Sequence, residues 1–211
     1  MWLANLDTRS ECLARPAGIL SQDERERTMR FHSRLDASRW AASRIVLRSL
    51  LARYLLVDPC AVSFQTGVTG KPDVAIPPGR RPIQFNMSHS DAVGLYAVAR
   101  FRRVGIDVER MRRLPDFDSL AQRMFAPDEQ RALQELPDAQ RSAAFFRFWT
   151  RKEAYLKATG QGLASAEGKH SSEPGRWLVM TLPAVSGYAA SLAIEGRPSR
   201  LRFGRWPERG A

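Results

Sequence analysis

The chain has 211 residues, of which 44% are hydrophobic, and its formal net charge at pH 7 is +11. This length suits one large domain or two small ones with real cores, and the positive charge indicates an acidic partner. The two cysteines, Cys12 and Cys60, have no metal-like spacing, no apolar run is long enough to span a membrane, and the N-terminus lacks the basic start of a signal peptide, so we expect a cytoplasmic protein without a disulfide framework.

The pattern of apolar residues in the first part of the chain predicts a helix followed by short strands. Apolar residues between Asp23 and Leu56 recur at roughly the 3.6-residue period of a helix, and Asp58-Pro59 ends that pattern. Strands are predicted at residues 62–65, 83–86 and 93–99, with loops rich in glycine and proline between them.

The motif Asn-Met-Ser-His-Ser at residues 86–90 is predicted to lie in the loop between the last two of these strands. Ser88 and His89 are good donors to phosphate oxygens, although a lone loop histidine is more often structural or merely exposed. A hydrolase nucleophile and base at these two positions is a weak alternative, because no Gly-x-Ser-x-Gly motif accompanies them.

Two acidic side chains interrupt the apolar run Val-Gly-Ile-Asp-Val-Glu at residues 104–109. In a strand, Gly105, Asp107 and Glu109 face the same side, and the two carboxylates lie about 7 Å apart along it. A charged side chain in an apolar element is energetically costly unless it is paired or binds a metal ion. Mg²⁺ prefers a few carboxylates together with waters and substrate phosphates. We therefore expect a Mg²⁺ site on this strand, and we expect Gly105 to leave room beside it for a ligand.

The longest predicted helix, residues 139–159, contains Trp-Thr-Arg-Lys-Glu-Ala-Tyr-Leu-Lys at residues 149–157. Residues four apart share one face of a helix, so Glu153 and Lys157 continue the stripe begun by Phe145 and Trp149. A lone Glu–Lys pair at this spacing is usually a weak surface ion pair. Because this pair borders an apolar stripe, the surface-pair interpretation is weakened but stays open, and Glu153 is the third carboxylate of the possible Mg²⁺ site.

The remaining pattern suggests that the second half of the chain repeats the plan of the first. Further helices are predicted at residues 119–123 and 127–136, and strands at 177–181, 188–194 and 201–203. The expected fold class is α+β with two similar halves, each helix-rich and then forming a small antiparallel sheet. We place these halves at residues 1–102 and 103–211.

Three motifs, Phe-Asn-Met-Ser-His-Ser, Val-Gly-Ile-Asp-Val-Glu and Trp-Thr-Arg-Lys-Glu-Ala-Tyr-Leu-Lys, resemble the 4′-phosphopantetheinyl transferase superfamily in order and spacing. The match is to its larger, surfactin-synthetase-type branch, in which two halves form a pseudo-dimeric monomer. Segments at residues 27–31, 36–39 and 69–72 also match, so the resemblance covers roughly residues 22–163. It implies Mg²⁺-dependent transfer of the 4′-phosphopantetheine arm of coenzyme A to a serine of an apo acyl or peptidyl carrier protein, with release of 3′,5′-ADP. Carriers of fatty-acid, polyketide and nonribosomal-peptide synthesis all remain open.

The resemblance also implies roles for individual residues. Mg²⁺ would be held by Asp107, Glu109 and Glu153, and would bridge the pyrophosphate of coenzyme A. Either Glu153, which we prefer, or a metal-bound water would take the proton from the carrier serine. The other implied contacts to coenzyme A are Lys157, assisted by Lys152, at the reacting phosphate, Ser88 and His89 at the phosphates, and Lys71, Arg39 and Arg27 at the nucleotide end.

The sequence departs from the family at one basic position of the N-terminal segment, where Glu24 stands here. The resemblance therefore does not identify which residue binds the 3′-phosphate of coenzyme A. A nucleic-acid-binding protein is an alternative that explains the charge, but its phosphates would be repelled by the three carboxylates, and no zinc-finger or RNP-type motif is present. A relative that binds coenzyme A without catalysis is a third possibility. We expect coenzyme A and an acidic carrier protein as partners, and neither nucleic acid nor a membrane.

Overall fold

A computed structural model of the chain describes residues 1–7, 16–67, 71–113, 117–161, 175–183 and 185–207. They group into two units, the first formed by Met1–Phe101 with the stretch from Leu201 onward, and the second by Arg102–Arg200. The predicted halves, residues 1–102 and 103–211, differ from these units at the C-terminal end of the chain. The difference arises because the last strand pairs with the first one.

The elements of the described residues follow one another along both units. In the first unit they are β1 (Trp2–Asn5), α1 (Pro16–Ile19), α2 (Gln22–Met29), α3 (Arg34–Leu55), a 3₁₀ turn (Pro59–Ala61), β2 (Phe64–Thr66), β3 (Pro72–Val74), β4 (Ile83–Ser90) and β5 (Val93–Arg100). The second unit follows with β6 (Val104–Arg110), α4 (Phe117–Met124), α5 (Pro127–Gln134), α6 (Asp138–Thr159), β7 (Trp177–Thr181) and β8 (Tyr188–Glu195), and β9 (Gly204–Trp206) returns to the first unit.

Each unit sets a 22-residue helix, α3 or α6, beside strands that pair largely in the antiparallel sense. In the first unit the sheet order is β4-β5-β1-β9, with β1 and β9 parallel, and β2 and β3 form a separate antiparallel pair. In the second unit the order is β6-β8-β7, and both pairings are antiparallel. The predicted α+β class is confirmed, whereas the predicted wholly antiparallel sheet describes only the second unit.

The helix predicted over residues 23–56 is two helices. Ser33 starts the second of them, because its Oγ accepts a hydrogen bond from the Asp36 N–H at 3.2 Å and so caps α3. Helix α3 ends at Leu55, and the capping residue Leu56 has a left-handed φ of 56°. Between these ends α3 buries an apolar face on the sheet of its unit, with Leu50, Leu51 and Tyr96 fully enclosed.

The motif at residues 86–90, predicted to be a loop, lies in a strand. Ser90 pairs with Val93 across the β4–β5 hairpin, so only Asp91 and Ala92 form the turn. Asp91 takes a positive φ of 46°, as such a tight turn requires. Neighbouring side chains of the motif therefore point to opposite faces of the sheet.

The terminal strands are the other difference from the predictions. Strand β1 was not predicted, and the strand expected at residues 201–203 lies instead at Gly204–Trp206. Both are very short, and they pair with each other in parallel, for example Leu3 with Arg205. A pairing between residues so far apart in the chain leaves no local signal in the sequence. In the second unit, by contrast, the predicted helices and the strands β7 and β8 are confirmed with small shifts of their ends.

Glu24 is a structural residue that joins α2 to α3. It completes a capping box with Ser21 at the start of α2, and its two carboxylate oxygens accept hydrogen bonds from Arg44 Nε at 2.7 Å and Arg48 Nε at 2.6 Å. Burial by itself raises the pKa of Glu24, but the hydrogen bond from the Ser21 N–H and the two arginines outweigh it and leave the pKa below its ordinary value of 4.5. The departure from the family at this position thus has a local physical reason.

Two expectations from composition concern membranes and thiols. Within the described part of the chain, every helix is too short or too polar to cross a bilayer. Cys60 is exposed and carries a free thiol. Cys12 lies outside the described residues, so the absence of a disulfide bond at Cys12 stays a prediction.

Replacing Glu24 by Gln removes the charge shared by Arg44 and Arg48 while keeping the size of the side chain. Breaking a buried ion pair from one side costs about 3–5 kcal/mol, and we expect the free energy of unfolding in urea at pH 7 to fall by about that much. Because the folded-state pKa of Glu24 is depressed, its contribution is complete above pH 4.5 and is lost as the pH falls through the folded-state pKa. The stability gap between wild type and E24Q should therefore narrow in acid.

The matched control is Glu26→Gln on the same helix, because Glu26 is only half-buried and, within the described ranges, its side chain bonds only to the amide of Gln22. We expect a change within about 0.5 kcal/mol there. Equal losses of stability in the two variants would contradict the structural role of Glu24.

Candidate active site

Helix α6 lies unusually close to strand β6 at Gly105. A methyl group built on this glycine would overlap the carbonyl oxygen of Ala154 and the backbone nitrogen of Ala158, and would lie 3.0 Å from Ala158 Cα. Ala154 and Ala158 of α6 and Ala193 of β8 form a buried cluster of small side chains, against which larger, partly buried side chains pack. The expectation that Gly105 leaves room for a ligand was wrong, because the space beside it is filled by the backbone of α6.

A buried hydrogen bond fixes the same helix over the sheet. Thr150 Oγ1 of α6 and Ser191 Oγ of β8 lie 2.9 Å apart, and both side chains are fully enclosed. Ser191 is the cross-strand partner of Asp107 in the β6–β8 pairing. Thr150 lies three residues before Glu153 on α6. The hydrogen bond therefore ties the helix near Glu153 to the β8 residue that pairs with Asp107.

Asp107 and Lys157 form the central ion pair of the site. Asp107 is 2% exposed, and its Oδ1 lies 2.6 Å from Lys157 Nζ in the last turns of α6. The lysine side chain is 31% exposed, so Lys157 contacts the buried carboxylate of Asp107 while part of its own side chain remains in contact with solvent. A buried carboxylate needs such a partner, because desolvation penalises an uncompensated charge.

Glu153 is the less compensated carboxylate of the site. Burial raises its pKa; Lys157 opposes the rise, Asp107 and Glu109 add to it, and Lys152 opposes it weakly. Among the described residues, no hydrogen-bond partner reaches its buried Oε1 atom. A buried acceptor without a partner is costly, so this oxygen is suited to take a proton or a cation.

The donor chemistry of the site fits Mg²⁺, while the arrangement shows no ready cage. Asp107, Glu109 and Glu153 offer the hard oxygen ligands that Mg²⁺ prefers, and Asp107 and Glu109 are close enough to Glu153 to add to the rise in its pKa that burial causes. In the described ranges, however, no three Asp, Glu, His or Cys side chains are grouped so as to hold a metal ion. Mg²⁺ commonly takes only one or two carboxylates and completes its shell with water and substrate phosphates, so a cage of three is not required.

Lys152 contacts the protein rather than the solvent. Its buried ammonium donates to the carbonyl oxygen of Met124 at the end of α4, where a positive charge complements the helix dipole. Burial lowers the pKa of Lys152, and the nearby Glu129 and Glu153 oppose that change. Its predicted contact with coenzyme A stays a prediction.

The other predicted site residues belong to the first unit. Arg27 of α2 lies over the ring of Trp40, and Arg39 of α3 pairs bidentately with Asp7 at 2.7 and 2.8 Å. On β4, Ser88 is buried and the neighbouring His89 is exposed. Lys71 precedes β3, and its carbonyl oxygen accepts a hydrogen bond from Gly67; the adjoining Thr69 and Gly70 of the matching segment lie outside the described residues.

Several residues that fix the structure of the two units were not predicted from the sequence. Thr150, Ala154 and Ala158 lie on one face of α6 at intervals of four residues, which is a visible signal for a close helix contact. Ser191 offers no signal in the sequence, because its importance depends on its pairing with Asp107. Arg44 was missed because its partner Glu24 lies twenty residues away on another helix.

Comparisons with known proteins agree over both units. A family model described as the 4′-phosphopantetheinyl transferase superfamily matches residues 103–206, and one described as 4′-phosphopantetheinyl transferase, N-terminal, matches residues 8–100. The 4′-phosphopantetheinyl transferase HetI of Nostoc sp. is 38% identical over 206 residues, covering 93% of this chain and 87% of that protein.

Two further relatives match over a shorter stretch. A putative 4′-phosphopantetheinyl transferase of Synechocystis sp. is 38% identical over 146 residues, which cover 69% of this chain and 59% of the relative. The 4′-phosphopantetheinyl transferase Sfp of Bacillus subtilis is 29% identical over 148 residues, which cover 69% and 62%. In both cases the match spans less than two thirds of the relative's own length.

Replacing Gly105 by Ala should force α6 away from β6. Overpacking of this kind costs about 1–3 kcal/mol, and here the overlap is with rigid backbone, so we expect a loss at the upper end of that range in urea unfolding. Gly18→Ala is the control, because a Cβ at Gly18 meets nothing within 4 Å. A G105A protein as stable as wild type would show that the helix does not lie this close to the strand.

Proposed function

The chain belongs to the 4′-phosphopantetheinyl transferase superfamily, and we propose that it moves the 4′-phosphopantetheine arm of coenzyme A to a serine of an apo acyl or peptidyl carrier protein. The products would be the holo carrier protein and 3′,5′-ADP. The observation that carries this proposal is the meeting of Asp107, Glu153 and Lys157 between β6 and the last turns of α6. It joins two of the three motifs in one buried and charged site.

We propose that Asp107, Glu109 and Glu153 hold Mg²⁺ when coenzyme A binds. The ion would neutralise charge on the pyrophosphate and on the leaving phosphate. Support comes from the oxygen chemistry of the three side chains and from the buried Oε1 of Glu153, which no described residue hydrogen-bonds. Asp107 contributes a carboxylate that the protein itself holds in place through Lys157.

The proton of the carrier serine has to leave before or as its oxygen attacks phosphorus. Glu153 is our preferred acceptor, because burial raises its pKa and so favours proton uptake closer to neutral pH than an ordinary carboxylate allows. A water molecule activated in the site is the alternative. Lys157 would offer its ammonium to the phosphate oxygens as negative charge develops on them.

Further contacts to coenzyme A are proposed residue by residue. Lys152 would assist Lys157, while Arg27, Arg39 and Lys71 would bind the nucleotide end. On β4 the exposed His89 is better placed for direct contact with a phosphate than the buried side chain of Ser88, because the two point to opposite faces.

The choice of partner follows from charge. A net charge of +11 favours an acidic carrier protein, with no role required for nucleic acid or a membrane. Carriers of fatty-acid, polyketide or nonribosomal-peptide synthesis would all be suitable, in the cytoplasm. We also propose that the two units are repeats of one α+β plan in the manner of the surfactin-synthetase-type branch, so that a single chain acts as a pseudo-dimeric monomer.

The direct test incubates the protein with coenzyme A, Mg²⁺ and an apo carrier protein and weighs the carrier by mass spectrometry. We expect a mass gain of one phosphopantetheine group that disappears when EDTA removes the metal. Binding of coenzyme A without any gain across fatty-acid, polyketide and peptide carriers would indicate a relative that does not catalyse transfer. Absence of coenzyme A binding would refute the proposal.

The variants Asp107→Asn and Glu153→Gln test the site itself. Each keeps the shape of the side chain and removes its charge, so we expect transfer to fall by at least about a hundredfold while circular dichroism still reports a folded protein. Asp118→Asn and Glu135→Gln are matched controls at exposed positions of the second unit and should leave the rate unchanged. Normal turnover in D107N or E153Q would exclude the proposed metal and base roles.

A further inference from the structure

We infer that Arg44 supplies the positive charge that binds the 3′-phosphate of coenzyme A in this chain. The inference rests on the proposed function and concerns the departure noted in the sequence, where Glu24 stands at a basic position of the family. Glu24 cannot bind a phosphate, and in the structure it is committed to two arginines of α3. The geometry points to one of those two as the group that faces the anion.

The cluster formed by Glu24, Arg44 and Arg48 has an excess of positive charge. Two guanidinium groups share one carboxylate, so the cluster carries a net charge of about +1 at neutral pH. The side chains are 9%, 17% and 4% exposed respectively, which means that water solvates the excess poorly. An anion bound at this position would lower the electrostatic cost of burial.

The two arginines differ in how their donors are used. Arg48 donates from Nε to Glu24 and from Nη1 to the carbonyl oxygens of Pro59 and Val62. Arg44 donates from Nε to Glu24, while its Nη1 lies 3.8 Å from Met87 Sδ, a weak acceptor. In the described parts of the chain, no oxygen accepts a hydrogen bond from either terminal nitrogen of Arg44. The outer edge of its guanidinium is therefore the available donor pair of the cluster.

The position of Arg44 places that edge beside strand β4. Its guanidinium carbon lies 4.6 Å from the centre of the Phe64 ring, and Phe64 packs on Phe85 of β4 at 5.8 Å between ring centres. Phe85, Met87 and His89 share one face of the strand because side chains alternate. His89 is thus one step, about 7 Å, from the methionine that Arg44 contacts.

A phosphate group at this end of β4 would meet a guanidinium fork and an imidazole from the same face. Arginine matches phosphate with two parallel hydrogen bonds, which a point charge such as lysine does not reproduce. Two of the other predicted cations, Arg39 and Arg27, are already engaged by protein groups. Arg39 is neutralised by the two oxygens of Asp7 and lies 3.9 Å from Asp91, and Arg27 lies over the Trp40 ring.

The experiment compares coenzyme A with 3′-dephospho-coenzyme A, two ligands that differ only in the phosphate at issue. Dissociation constants are measured by isothermal titration calorimetry for wild type and for Arg44→Gln. We expect wild type to bind coenzyme A at least about tenfold more tightly than the dephospho form, and R44Q to reduce that ratio to about one to three. Because both ligands need the same folded protein, the ratio is insensitive to a general loss of stability.

Arg53→Gln is the matched control, because Arg53 is an exposed arginine of the same helix that lies over the rings of Trp2 and Trp206. The ratio should be unchanged there. A ratio in folded R44Q equal to that of wild type would overturn the inference. If R44Q does not fold, Arg44→Lys decides: a ratio two- to fivefold lower than wild type supports the inference, and an unchanged ratio overturns it.

The outcomes separate this inference from the proposed function. Wild-type protein that binds neither ligand would refute the proposed function and this inference with it. Wild-type protein that binds both ligands equally would refute this inference alone, since transfer would then not depend on the 3′-phosphate.

Discussion

The close contact between helix α6 and strand β6 at Gly105 is the constraint on which the candidate site depends. Ala154 and Ala158 approach the strand so closely that a single methyl group on Gly105 would overlap the helix backbone. The residues next to these alanines are Glu153 and Lys157, and Asp107 lies two positions along the strand. Packing of the smallest side chains therefore sets the distance between the three charged groups, and the Thr150–Ser191 hydrogen bond helps to fix how the helix is turned.

The two units have opposite electrostatic needs. In the second unit burial, Asp107 and Glu109 raise the pKa of Glu153, whose buried Oε1 has no hydrogen-bond partner among the described residues, and Lys152 is bound to a backbone carbonyl. In the first unit a buried carboxylate is shared by two arginines, which leaves a positive excess. Within the first unit a bound anion would compensate the excess charge of the arginines, and within the second unit a bound cation would compensate the buried carboxylate of Glu153.

Much of the second unit could be predicted from the sequence, because its elements are long and their apolar periodicity is regular. The strand at 104–110 and the helix at 138–159 were predicted to within a residue at each end, and so the placement of Asp107 and Glu109 on one face of the strand, and of Glu153 and Lys157 on one face of the helix, could be predicted. The prediction failed where neighbours distant in sequence decide the structure. Strands β1 and β9 form because they pair with each other. The motif at residues 86–90 is a strand because it pairs with β5 as far as Ser90 and Val93.

By itself the sequence determined the α+β class, the superfamily and the identity of the candidate carboxylates, since these depend on periodicity and on local motifs. The tertiary structure decided what lies beside each of them. Gly105, read as space for a ligand, receives the helix backbone, and Glu24, read as a missing cation, holds Arg44 in place. The physical reason is the same in both cases: the role of a small or charged side chain is set by the group it meets, and that group comes from another part of the chain.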